Sequence, residues 1–131
     1  MESAKPSPLS IGDAIAKLTF LPDRTPTTTA DDSKDAFSLL SDYRDGGVFV
    51  GHWAGSSEWE RHNVGDEIVM VLEGQTTIFF LDGDRERPAD LAGGEFVVVP
   101  QSTWHRFETP EGVKILSVTP QPTDHSSSRP A

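Results

Sequence analysis

From residue 36 onward the chain breaks into short apolar runs separated by turn residues at intervals of roughly ten, a pattern that predicts successive β-strands. The runs fall at 37–40, 48–53, 58–62, 67–72, 75–81, 88–91, 95–99, 104–108 and 113–119. Between them lie Asp45-Gly46-Gly47, a loop of small residues at 54–57, Asn63-Val64-Gly65-Asp66, Asp82-Gly83-Asp84, a turn at 100–103 and Pro110-Glu111-Gly112. Asp-Gly pairs accept the positive φ that tight hairpins demand, so Asp82-Gly83 is the clearest hairpin signal. This many short strands predicts an all-β sandwich or barrel, and closure into a barrel removes exposed sheet edges.

The chain before residue 36 is patterned differently. Residues 1–8 carry Ser, Lys and Pro without apolar periodicity and read as a disordered arm. Behind Ser10, the spacing of Ile11, Ala14, Ile15 and Leu18, with Asp13 at the capping-box position, fits a short helix; a strand over 16–21 fits nearly as well because Gly12 weakens the helix. Residues 22–35 are rich in Thr, Asp and Pro and predict a surface loop. The expected domain is 9–120, and 121–131 is expected to be a flexible tail.

Length and charge narrow the picture. A chain of 131 residues suits one core. With a formal net charge of −10 and no cluster of Lys or Arg, neither nucleic acid nor an anionic membrane is an expected partner. Cysteine is absent, which removes disulfides and thiolate metal sites. No run approaches the ~20 apolar residues of a membrane helix, and the first ten residues lack the apolar stretch of a signal peptide, so a cytoplasmic location is expected.

The chemistry concentrates in two stretches. In the first, Glu60 and His62 are two apart on a strand and project to one face, and Glu67 opens the next strand after a turn. In the second, His105 and Phe107 share a face. If both strands line one interior, His62, Glu67 and His105 converge. Two imidazoles and one carboxylate make the facial set used for non-haem iron, which also suits manganese, nickel or zinc.

These residues also resemble a family. The spacing His62, four residues, Glu67, six residues, Gly74 is that of the second half of the first cupin motif, although Glu60 occupies the place of its first histidine and Gly55 lies one residue too close. The second cupin motif is matched by Gly94, five residues, Pro100, one, Ser102, two, His105, three, Thr109, with Ser102 and Thr109 replacing glycine and asparagine. The resemblance covers roughly 51–119. It implies a cupin-type double-stranded β-helix, or jelly-roll barrel, with a divalent metal (Fe, Mn, Ni or Zn) held by His62, Glu67 and His105.

Glu60 then has three readings: a fourth metal ligand, a catalytic residue that moves a proton or holds a substrate hydroxyl, or a solvated rim residue. The function implied is a metal-dependent enzyme, of oxygenase, isomerase or decarboxylase type, acting on a small molecule in the barrel. The alternative is a non-catalytic barrel that binds a sugar or metabolite, its three ligand residues the remnant of a metal site. The resemblance also suggests a homodimer. His52 is expected to be an ordinary strand residue and His125 an inert tail residue. Trp59 and Trp104, alternating with Glu60 and His105, are expected to face away from the site.

Overall fold

The computed structural model describes residues 6–131. Two short helices, α1 (Ile11–Ala16) and α2 (Ala30–Ser33), flank β1 (Leu21–Arg24); β2 (Phe37–Tyr43), β3 (Gly46–Ser56), β4 (Trp59–His62), β5 (Glu67–Asp82), β6 (Arg85–Ala92), β7 (Phe96–Val99), β8 (His105–Pro120) and β9 (Thr123–Ser126) complete the chain. The fold is an all-β jelly-roll barrel. Among the described residues no helix is long and apolar enough to cross a membrane.

β8 organises the barrel. It pairs antiparallel with β3 over 46–56, with β4 at Glu60↔His105, and with β5 along most of its length. β5 in turn carries β7 on 67–70 and the hairpin to β6 on 75–82. Alternation along these strands sets the interior: Glu67, Val69 and Val71 of β5 are buried while Ile68 is exposed, and His105, Phe107 and Thr109 are buried on β8. Trp53, Val69, Val71, Ile78, Val99, Phe107, Val113 and Ile115 form one apolar cluster. Val71 and Ile78 are wholly inaccessible, and each contributes about 1.5–3 kcal/mol by burial. His105 and Glu67 therefore sit in the same inward files as the core.

The two long strands replace four predicted short ones. Gly74 does not end a strand, nor does Pro110-Glu111-Gly112 reverse the chain. Instead the β5–β8 ladder shifts register between Val71 and Glu73 and again between Gly74 and Thr77. Gly74 has φ 89° and Gly112 φ 110°, and a Cβ at Gly74 would collide with the Gly112 carbonyl. Bulges bend their strands, so each 16-residue strand curves around the barrel.

Other expectations are corrected. The loop predicted at 22–35 contains β1 and α2; Leu21 packs against the core, and β1 runs parallel to β3 with Leu21↔Trp53 and Arg24↔Gly55 paired. Four residues with one core contact leave no periodicity to detect. The loop at 54–57 is mostly strand, because Gly55 and Ser56 pair with Thr109 and Glu108 of β8. The tail expected to be flexible from 121 forms β9, whose residues 123–126 pair with the whole of β4. Of the arm expected at 1–8, residues 1–5 lie outside the described residues and 6–8 have no regular structure. At the N-terminus the helix prevails: Ser10 caps it by accepting from the Asp13 amide at 3.1 Å.

Candidate metal centre

β4, the first residue of β5 and the first residue of β8 bring four titratable side chains together. One donor atom each from Glu60, His62, Glu67 and His105 lies within 4.8 Å of all the others. His105 Nε2 is 3.1 Å from Glu67 Oε1 and 3.3 Å from Glu60 Oε1; His62 Nε2 is 3.4 Å from Glu67 Oε1 and 3.9 Å from Glu60 Oε1. His62, Glu67 and His105 are buried, whereas the Glu60 side chain is 20% exposed and faces the cavity.

Each buried member is oriented from behind. His105 Nδ1 is 2.9 Å from the carbonyl of Thr103, which can only accept, so the ring proton sits on Nδ1 and the Nε2 lone pair points into the cluster. His62 Nδ1 is 2.9 Å from Thr123 Oγ1 on β9, and that hydroxyl donates to Gln121 Oε1 at 3.1 Å. Glu67 Oε2 accepts from Thr119 Oγ1 at 2.6 Å, leaving Oε1 toward the histidines.

The donor set fits a divalent cation. His62 Nε2 is buried without a hydrogen-bond partner, an arrangement that normally costs about 1–3 kcal/mol. Ligand bonds of about 2.1 Å require donor atoms about 3–4 Å apart, matching the four separations above. Two nitrogens and two carboxylate oxygens suit iron, manganese, nickel or zinc.

In the metal-free chain a proton takes the place of a cation. Burial disfavours the charged His105 ring, but Glu60 and Glu67 beside it outweigh burial and push its pKa up to about 10. Burial likewise opposes ionisation of Glu67, and the hydrogen bond to His105 together with the nearness of the His62 ring reverses this, holding the carboxyl well below the usual carboxylate range.

The cluster opens into a cavity of about 600 Å³, within the usual range for small-molecule sites. Its walls include Phe37, Val50, Trp53, Phe107 and Ile115, with Glu58, Ser117, Thr119 and Thr123 adding polar atoms. Arg24 of β1 also lines it, its guanidinium 4.4 Å from the Trp53 ring centre and 5.0 Å from that of Phe37.

All four sequence-predicted residues thus come together. His52 does not join them; it packs on Phe20, with ring centres 4.7 Å apart, outside this cavity. Trp59 and Trp104 also lie outside it, beneath Arg106 and Arg61 respectively. His125, expected to be an inert tail residue, lies on β9 and lines the cavity, with Nδ1 2.6 Å from Glu58 Oε1. Thr119 was legible as the inward-facing continuation of Val113 and Ile115, but Arg24 and Thr123 gave no signal, lying in segments of loop-like composition.

Comparison with known proteins agrees with this fold. No curated protein sequence matches the chain. A cupin-2 domain-containing protein from Shewanella frigidimarina is similar in structure, with 26% identity over 65% of this chain and 79% of that one and a TM-score of 0.57. A Neisseria meningitidis protein shares the fold at 16% identity, covering 88% of this chain and all of that one (100%), with a TM-score of 0.65. Hydroquinone 1,2-dioxygenase from Sphingomonas sp. TTNP3, solved with 4-hydroxybenzoate bound, shares it at 15% identity, with 66% of this chain and 65% of that one covered and a TM-score of 0.57. The family model for the cupin domain matches residues 50–119, more than half of the chain, and that span carries all four clustered residues: the chain belongs to the cupin domain family.

Proposed function

We propose that this cupin is a metal-dependent enzyme acting on a small molecule in the barrel cavity, of oxygenase, isomerase or decarboxylase type. The observation that carries the reading is the buried, unpartnered Nε2 of His62, aimed at three further donor atoms at the inner end of a cavity large enough for a substrate. His62, His105 and Glu67 would hold the metal through Nε2, Nε2 and Oε1, with Glu60 completing the set. A bound divalent cation supplies Lewis-acid polarisation of a substrate oxygen.

The protein's own contribution is orientation and proton handling. Thr103, Thr119 and Thr123 hold the three buried ligands in place. Glu60, the most accessible of the four, presents its carboxylate to the cavity and is the group positioned to take a proton from a bound substrate. The apolar wall formed by Val50, Phe107 and Ile115 excludes water from the substrate body.

Elemental analysis of protein expressed in medium supplemented with Fe, Mn, Ni and Zn tests this reading. About one metal per chain is expected in the wild type, with loss in His62→Ala and His105→Ala. Sub-stoichiometric metal unaffected by either substitution sinks it. A second reading, a non-catalytic binding barrel, is favoured by the ion pairing of His105 with Glu60 and Glu67, since a protonated ring neutralises a carboxylate without a metal. It predicts ligands that raise the melting temperature equally with and without chelator.

A homodimer is part of the proposal. Ile68 and Val98 are directly paired on β5 and β7, and both are exposed with Phe96 beside them. This apolar row is the face offered to a second copy.

A further inference from the structure

Arg24 is a charged cavity residue that neither the motifs nor the metal cluster explains. It comes from β1, in a segment whose composition reads as loop, and is held there by a specific backbone fit. β1 lies so close to β3 that a Cβ on Gly55 would overlap the backbone of Arg24, and Gly55 has φ 119°. The guanidinium then lies over the Trp53 ring at 4.4 Å and the Phe37 ring at 5.0 Å.

Ring stacking occupies the faces of a guanidinium and leaves its edge, with five N–H donors in one plane, for hydrogen bonding. Among the described residues nothing uses that edge. Among the described residues no carboxylate lies within 4.0 Å of Arg24, and its side chain makes no hydrogen bond to them. The charges of Glu58 and Glu60 reach it only at longer range, while burial works against its own charge. A planar cation, partly desolvated, fixed in orientation and unpaired, faces the cavity that holds the metal cluster.

The charge of the cavity limits what it can receive. Arg24 is the only Lys or Arg among the described lining residues, and Glu58, Glu60 and Glu67 line it too. One fork matches one planar oxyanion, and no second Lys or Arg among the described lining residues offers another. The walls beside it at Phe37, Val50, Phe107 and Ile115 are apolar.

We propose that Arg24 is the specificity-determining residue of this cavity and that its ligand is a small organic monocarboxylate, held by the Arg24 fork with its apolar body against Phe37, Val50, Phe107 and Ile115. The inference deepens the substrate side of the function proposed above; it rests on the cavity being a ligand site and stands whether or not the metal is bound.

The test uses the full chain, both zinc-loaded and chelator-treated. Benzoate, cyclohexanecarboxylate and inorganic phosphate are titrated by calorimetry, each acid against its carboxamide. The wild type is expected to bind at least one acid tenfold or more tightly than its amide in both metal states, and to bind phosphate more weakly than that acid. In Arg24→Met that preference falls at least tenfold, while zinc content stays as in the wild type. Arg24→Lys, which keeps the charge and loses the fork, is expected to restore only part of it. The wild type supplies a reading independent of any substitution: the Nε–Hε resonance of Arg24 shifts with benzoate and not with benzamide.

Equal affinity for acid and amide, a preference that survives Arg24→Met, phosphate bound in place of the carboxylates, or no binding of any acid at millimolar concentration each overturns the proposal. Zinc failing to bind while the carboxylate preference persists and depends on Arg24 removes the metal reading and leaves this one intact.

Discussion

Replacing Thr123 with valine removes one hydroxyl from β9 and keeps the side-chain shape. The His62 ring then loses the acceptor of its Nδ1–H, 2.9 Å away. His62 is only 3% exposed, so water cannot fill the gap, and a buried donor without a partner costs about 1–3 kcal/mol. The ring escapes part of that cost by rotating or by moving its proton to Nε2, and either change withdraws the Nε2 lone pair from the cluster. Loss of a partner behind a metal-binding histidine typically weakens affinity about 10–100-fold. Thr123→Val is therefore expected to raise the zinc Kd by that factor, and Thr123→Ser, which keeps the hydroxyl, to stay within about threefold. Competition against a chromophoric chelator at fixed pH measures both, and melting curves of the chelator-treated variants separate a change in affinity from a change in folding. The reasoning fails if Thr123→Val binds within twofold of wild type while His62→Ala abolishes binding.

Three further outcomes follow from the geometry. His105 has a raised pKa in the metal-free chain, so its contribution is fully present below its ordinary value of 6.5 and is lost as pH rises toward about 10; chelator-treated protein should lose stability across that window, by at most about 1.4 kcal/mol per pH unit, and a His105→Leu variant whose melting temperature falls just as steeply would refute it. Gly55→Ala places a Cβ against the Arg24 backbone at φ 119° and is expected to cost more than about 2 kcal/mol in urea denaturation; a loss below about 0.5 kcal/mol would mean that β1 is not packed as described. Phe96→Glu puts a charge into the exposed row with Ile68 and Val98 and is expected to convert the proposed dimer to monomer in sedimentation velocity, whereas a wild type that is already monomeric at high concentration removes that interface.

The legible part of the site was the part carried by strand alternation. Glu67 and His105 face inward because they share files with Val69, Val71 and Phe107, and period-two patterning shows this without coordinates. The two motif departures also have physical accounts. Ser102 sits at φ 66°, the backbone region where glycine is the easy choice, and Thr109, in the place of an asparagine, is fully buried against Thr76 with their hydroxyls 2.6 Å apart. Illegible were the contributions of short segments whose partners lie far along the chain. Leu21–Arg24 and Thr123–Ser126 are four residues each, too short for a period, and their strand form comes from edges offered by β3 and β4. Gly74 and Gly112 misled for a related reason: a positive φ marks a bend, and the sequence does not say whether the chain reverses there or continues.

β9 also bears on the order in which the site is made. His62, Glu67 and His105 all precede it, yet the residue that sets the His62 tautomer is Thr123. During synthesis, with the N-terminal part emerging first, the barrel strands are available for pairing while β4 still has an open edge and His62 a rotatable ring. If the cluster holds a metal as proposed, ordered capture would wait until the segment 123–126 has been released and laid along β4. On the proposed metal reading β9 would act as the latch on the site, and a chain cut before residue 123 would be expected to lose affinity for the metal.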